Sequence, residues 1–309
     1  MPLDAQMQKI LDMLDGLNMP PNETLTPEEA REWRKTRPIP QGPEVGKVSD
    51  VTVESDGMGI PVRIYQPKAA GPHPILVWFH GGGWVLGNIE TADPVARNLC
   101  HASGAVVMSV DYRLAPETKF PGAVDDCYAI TEWACKQGNV YGGDPAQLAV
   151  GGDSAGGNLA TVVSILARDR QGPTIRFQLL VYPVTDYDFD RSSYIQNAEG
   201  YSLTRPGMIW FWDHYLNNIE DSKNPLAVPI KTPNLSNLPE TLIITAEYDP
   251  LRDEGEAYGE ILKANGVNVT ISRYDGVIHG FFGMSPALDK AGEAIKESAD
   301  ALNQAMKGA

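Results

Sequence analysis

The sequence predicts an α/β fold built on a mostly parallel central sheet covered by helices on both faces. Two observations carry this. From about residue 48 onward, short runs rich in β-branched and aromatic residues alternate with helical patterns. Most of these runs are apolar at successive positions, as strands buried on both faces are, whereas strands with one wet face alternate. At 309 residues the chain can bury a sizeable core, in one large domain of this kind or in two ordinary ones.

The first 45 residues stand outside the alternation. Leu3, Met7, Ile10, Leu11 and Leu14 form one apolar helical stripe, and Thr26-Pro27-Glu28-Glu29 reads as a capping box opening a second helix. A hairpin follows, "VSDVTVES" (48–55) and "PVRIYQP" (61–67) around the turn "DGMGI" (56–60). The buried strands are then "PILVWFH" (74–80), "AVVMSVDY" (105–112), "LAVGG" (148–152), "FQLLVYP" (177–183), "TLIITAEYD" (241–249) and "VTISRYD" (269–275). Residues 184 to about 235 again break the pattern, with aromatics concentrated on a helix in "PGMIWFWDHYL" (206–216). Both irregular stretches read as additions laid over a sheet, and no internal repeat is visible.

Composition narrows the function. With 25 Lys and Arg against 40 Asp and Glu the net charge is −15, which argues against nucleic acid as a partner because phosphate binding relies on clustered basic residues. No apolar run approaches the roughly 20 residues of a membrane span. The first 30 residues carry Asp4, Asp12, Asp15 and Glu23 and no apolar signal core. Cys100, Cys127 and Cys135 lack metal-site spacing and read as free thiols, so a cytoplasmic location without metal or other cofactor is expected. The Asn-x-Thr matches at Asn22 and Asn268 read as chance.

Chemistry concentrates at "AVGGDSAGGNLA" (149–160). Leu148-Ala149-Val150 reads as strand, and Leu159, Val162, Val163 and Leu166 as one face of a helix, which leaves Ser154 in the turn between them. Gly152-Asp153-Ser154-Ala155-Gly156 matches G-x-S-x-G, the nucleophile elbow. Glycines two before and two after the serine let strand and helix approach around a strained turn that raises the hydroxyl to the open end of the sheet. Such a serine needs a base, and the base an orienting carboxylate. Of the five histidines, His73 and His101 read as exposed, His214 lies in the inserted aromatic helix, and His80 directly precedes a glycine loop. His279, between Gly276 and Gly280 just after the last strand, can stand above the sheet. Asp249 ends a strand before Pro250 and is favoured as the carboxylate over Asp253, a helix-start residue, and over Asp275. The order Ser, Asp, His follows. "HGGGWVLG" (80–87) offers amides unshielded by side chains, and with the Ala155 amide these could hold a developing oxyanion.

With these stretches in view, the sequence resembles the hormone-sensitive lipase family of α/β-hydrolase carboxylesterases, in particular bacterial members with a GDSAG serine motif. The matching segments are "HGGGW" (80–84), "DYRLAPE" (111–117), "GGDSAGGN" (151–158), "YP" (182–183), "YDPLRDEG" (248–255) and "IHGF" (278–281), in order over about 200 residues, with "MPLD" and "NAEGY" (197–201) also similar. The resemblance implies an α/β-hydrolase fold with a helical cap, residues 1–45 and 184–235 forming the cap and 46–183 and 236–309 the core. It implies Ser154, Asp249 and His279 as catalytic triad and Gly82, Gly83 and Ala155 as oxyanion hole, with Gly81 serving mainly the turn. Asp111 and Arg113 would hold the glycine loop. Trp84, Trp210, Phe211 and Phe281 are expected around the substrate, although these residues, like Trp33, Trp212 and Tyr215, equally suit a core. The implied function is hydrolysis of short to medium acyl esters of small molecules. Amide or acetyl-group hydrolysis on the same triad is the alternative. A ligand-binding protein of this fold, as in the plant gibberellin receptors, is disfavoured because those receptors lack the catalytic histidine that this sequence has at position 279.

Overall fold

The computed structural model describes residues 2–36 and 38–307. Eight strands make one sheet: β1 (Lys47–Ser55), β2 (Met58–Gln66), β3 (His73–Phe79), β4 (Val106–Val110), β5 (Gly143–Asp153), β6 (Phe177–Val181), β7 (Glu240–Tyr248) and β8 (Val269–Ile278). Their order is β1-β2-β4-β3-β5-β6-β7-β8. The pairs β1 with β2 and β2 with β4 are antiparallel, and every later pair is parallel. The α/β-hydrolase architecture is therefore present. The hairpin turn is tighter than the sequence suggested. Asp56 (φ 51°) and Gly57 (φ 77°) make all of it, and Met58 already pairs with Ser55. Two successive positive φ values give the type I′ turn, whose twist matches that of the flanking strands.

Nine α-helices surround the sheet among the described residues: α1 (Ala5–Asp15), α2 (Pro27–Lys35), α3 (Ile89–Ser103), α4 (Gly122–Gln137), α5 (Ala155–Asp169), α6 (Ser192–Gln196), α7 (Arg205–Tyr215), α8 (Arg252–Ala264) and α9 (Asp289–Lys307). The apolar runs fill both faces by alternation. Along β3, Ile75, Val77 and Phe79 enter one core with Leu159, Val162, Val163 and Leu166 of α5, while Leu76 and Trp78 enter the other with α3 and α9. Each such side chain contributes about 1.5–3 kcal/mol by burial, and this sets strand register because a one-residue slip would exchange the two faces.

Both irregular stretches are anchored on the sheet. Asp4 caps α1, its Oδ1 accepting from the Gln6 amide at 2.8 Å, and its own amide donates to Gly276 O at the end of β8. Met7 and Leu11 of the apolar stripe are buried there. The capping box of α2 forms, with Thr26 Oγ1 accepting from the Glu29 amide at 3.3 Å and Glu29 Oε2 from the Thr26 amide at 2.9 Å. Trp210 Nε1 in α7 donates to Leu25 O at 3.1 Å, tying the insertion to the N-terminal segment. Cys100 and Cys127 are buried, Cys135 partly so, and all three are free thiols. Among the described residues no helix is long and apolar enough to cross a membrane.

Candidate active site

Ser154 occupies the turn between β5 and α5 with φ 58° and ψ −119°, a conformation that a residue with a side chain holds only under external constraint. The constraint is visible. Its amide donates to Val181 O of β6 at 2.8 Å, and α5 passes so close to β3 that a Cβ on Gly156 would lie 1.9 Å from Phe79 O. Ser154 is 7% exposed, so its hydroxyl reaches the open end of the sheet while the rest of the residue stays enclosed.

His279 and Asp249 come to that hydroxyl from the ends of β8 and β7. Nε2 of His279 lies 3.0 Å from Ser154 Oγ, and Nδ1 lies 2.7 Å from Asp249 Oδ2. Asp249 is fully buried, and its other oxygen accepts from the Leu251 amide at 2.9 Å. A carboxylate in that position draws the imidazole proton to Nδ1 and leaves the Nε2 lone pair facing the hydroxyl. Tyr182 packs beside the ring at 4.4 Å between centroids. The rival carboxylates lie elsewhere. Asp253 accepts from the Ser193 amide and pairs with Arg252, joining α6 to α8, and the Asp275 carboxylate acts on Arg273.

The glycine loop faces the serine from the end of β3. Gly82 (φ 124°) and Gly83 (φ 60°) have backbones that residues with side chains adopt only under strain, and a Cβ on Gly83 would meet the Phe211 ring at 2.1 Å. Among the described residues the amides of Gly82, Gly83 and Ala155 have no protein acceptor, so they are available to a ligand oxygen. Gly81 is not available in this way. Its amide donates to Asp153 Oδ1 at 3.0 Å, which makes it an anchor of the loop. His80 sits beneath with its Nδ1 2.8 Å from Gly81 O, its ring stacked on Tyr112 at 4.3 Å, and its pKa lowered to about 4 by burial. The imidazole is thus neutral and structural at ordinary pH.

The "DYRLAPE" segment holds the loop by other atoms than expected. Tyr112 Oη donates to His80 O at 2.7 Å and the Ala115 amide to Trp84 O at 2.9 Å, while Asp111 accepts from the Ile89 amide, just past the loop. Arg113 does not reach the loop. It forms a bidentate pair with the buried Asp126 of α4, at 2.6 to 3.1 Å. Arg31 of α2, which sequence reasoning missed, donates to both Val85 O and Ala115 O at 2.9 and 2.8 Å.

Ser154 and His279 open on a cleft of about 450 Å³. Of the four aromatics expected around the substrate, Phe211 lines this cleft. Trp84 is fully buried, 4.7 Å from Trp212 and 4.1 Å from Tyr215, in the core beneath the loop. Trp210 lies against Phe211 and His214 and outside the cleft lining, and Phe281 is buried between Tyr182 and Tyr274. The apolar walls come instead from Ile10, Met13 and Leu14 of α1, Leu203 and Met208 of the insertion, and Met284. Only the α1 stripe carried a sequence signal for this. Among the described residues no group of three or more His, Cys, Asp or Glu is placed to hold a metal ion.

Comparison with known proteins fits this geometry. A family model described as the alpha/beta hydrolase fold matches residues 76–283, which include the glycine loop, Ser154, Asp249 and His279. The chain belongs to this family. The motifs place it with the hormone-sensitive lipase relatives. It is 41% identical over 265 residues to carboxylesterase NlhH of Mycobacterium tuberculosis, covering 84% of this chain and 83% of that protein. Among solved structures it is similar to an ester hydrolase from the metagenome of Lake Arreo in complex with a bipyridine phosphonate derivative, with a TM-score of 0.93, 37% identity and 98% of both chains covered. It is also similar to the hyperthermophilic esterase of Pyrobaculum calidifontis, with a TM-score of 0.90, 41% identity, and 98% of this chain and 99% of that one covered.

Proposed function

We propose that the protein is a carboxylesterase acting on short to medium acyl esters through a Ser154–His279–Asp249 triad. That it is a carboxylic ester hydrolase follows from its kinship with proteins named carboxylesterase, arylesterase and ethyl acetate hydrolase. One observation carries the mechanism. An unbroken chain of hydrogen-bond distances, 2.7 and 3.0 Å, runs from a buried carboxylate through an imidazole to the strained serine hydroxyl, opposite unengaged amides.

In the first step His279 Nε2 takes the Ser154 proton as Oγ bonds to the ester carbonyl carbon. The negative charge on the carbonyl oxygen is held by the amides of Gly82, Gly83 and Ala155, with the N-terminus of α5 adding to the field. The carbon–oxygen bond to the alcohol then breaks, and the imidazolium protonates the departing oxygen. In the second step His279 deprotonates a water that attacks the acyl carbon, and collapse of that intermediate returns the proton to Ser154 and releases the acid. Residues 1–45 and 184–235 act as the cap. Their side chains Ile10, Leu14, Leu203, Met208 and Phe211 form walls of the cleft over the core residues 46–183 and 236–309.

The test is release of p-nitrophenol from esters of increasing acyl length by the native chain and by Ser154→Ala at pH 8. Loss of about three orders of magnitude or more in the variant is expected. An inert native chain, or a variant of equal activity, would overturn the reading.

A further inference from the structure

We propose that Arg34 gives the substrate cleft an anion-binding end, selecting esters that carry a carboxylate remote from the scissile bond, such as half-esters of dicarboxylic acids. This rests on the esterase reading and specifies its substrate class. Arg34 lies in the last turn of α2 and lines the same cleft as Ser154 and His279. Its charge is felt beside the nucleophile, where it helps hold down the pKa of Asp153.

Arg34 also lines an adjoining cavity of about 420 Å³, and the residues common to both spaces include Asn22 and Ser202. The wall that divides them therefore presents a guanidinium, an amide and a hydroxyl within a lining otherwise rich in Leu and Met. A guanidinium offers forked donors that match a carboxylate in two parallel hydrogen bonds, and amide and hydroxyl groups supply further donors. Asp153 is the only carboxylate among the described residues lining the cleft, and its Oδ1 is engaged by the Gly81 amide. Asp15 and Glu23 line the adjoining cavity, which Arg34 shares. A neutral acyl chain makes no use of a cation at this position, whereas a chain ending in a carboxylate pairs with it.

The experiment compares kcat/KM by acid titration for monomethyl succinate, glutarate and adipate against methyl butanoate, pentanoate and hexanoate, each charged ester with the neutral one of equal length. The native chain, Arg34→Gln and Arg34→Lys are measured at low salt. The charged-to-neutral ratio at the best length is expected to fall about tenfold or more in Arg34→Gln, and to be largely retained in Arg34→Lys. A merely structural role for Arg34 would lower both members of each pair together. An equal ratio in the native chain and Arg34→Gln therefore overturns the proposal. If Arg34→Gln does not fold, the native ratio must fall between about 0.02 and 0.5 M sodium chloride as ions screen the pairing, and a salt-independent ratio overturns it. Failure to hydrolyse any ester of either set, charged or neutral, would instead sink the esterase reading on which the proposal stands.

Discussion

Replacing Asp153 separates two effects that meet beside the nucleophile. Its Oδ1 accepts the Gly81 amide at 3.0 Å, and Gly81 lies so close that a Cβ there would be 2.3 Å from Oδ2. In Asp153→Ala the Gly81 amide loses its acceptor, at a cost of about 1–3 kcal/mol. If the loop yields by that amount where the oxyanion donors are needed, kcat/KM falls by about 5- to 150-fold. Asp153→Asn keeps an oxygen that can accept the same amide and recovers most of the rate. The second effect is titration. Burial raises the Asp153 pKa from 3.8 to about 6, against the opposing Gly81 hydrogen bond. A carboxyl whose folded pKa lies above its unfolded value contributes stability that is fully present below pH 4 and is lost as pH rises through about 6. The shift corresponds to about 3 kcal/mol at most, less to the extent that cleft water screens the charge. Asparagine does not titrate, so Asp153→Asn gains stability relative to the native chain between pH 4 and 7. Steady-state kinetics on one p-nitrophenyl ester and urea unfolding at the two pH values measure both effects. Equal rates in the alanine and asparagine variants, together with a stability difference that ignores pH, would refute the reasoning.

Two further changes probe the frame around the site. Glu254 at the start of α8 is fully buried, accepts the Thr185 and Asp186 amides at 2.7 and 3.2 Å, and has its pKa raised by burial from 4.5 to about 8. Its stabilising contribution is complete below pH 4.5 and is lost as pH rises through 8. Glu254→Gln keeps the acceptor without the titration, so its unfolding free energy gains several kcal/mol on the native chain between pH 5 and 9; a constant gap would contradict this. Gly156→Ala forces a methyl to within 1.9 Å of Phe79 O and should cost about 3 kcal/mol or more. Gly142→Ala, also glycine to alanine but with nothing within 4 Å, meets only the strain of φ 80°, about 1 kcal/mol. Similar denaturation midpoints for the two variants would count against close strand–helix contact as the reason for the elbow glycines.

These sites show which information is local in the chain. The buried strands were legible because their composition is set by two covered faces, and Ser154, Asp249 and His279 because each follows a strand within a few residues. What escaped was set by partners far away in sequence. Arg113 reads like a loop anchor until Asp126 is seen across from it, and Trp84, next to the glycines, looks exposed to substrate until Trp212 and Tyr215 arrive to bury it. Glu254 is indistinguishable by pattern from any acid in the first turn of a helix, where solvent normally keeps it ionised. Arg34 resembles a basic residue placed at a helix end for the dipole. Its position on the cleft wall depends on how α2 is laid over the sheet.

The same long-range contacts bear on how the added segments work. The glycine loop holds positive φ at Gly82, Gly83 and, against ordinary preference, Trp84 (φ 59°). Such a conformation persists only where packing over-determines it. Part of that packing belongs to the added segments, since Trp212 and Tyr215 flank Trp84, Phe211 covers Gly83, and Arg31 grips Val85 O. The donors proposed for the oxyanion are thus set by the N-terminal and inserted segments, the proposed cap, as much as by the end of β3. A change in how the cap seats would alter transition-state stabilisation along with access to the cleft. Substitutions in the cap that touch no substrate should then lower kcat as well as raise KM, in contrast to a simple lid, which would move KM alone.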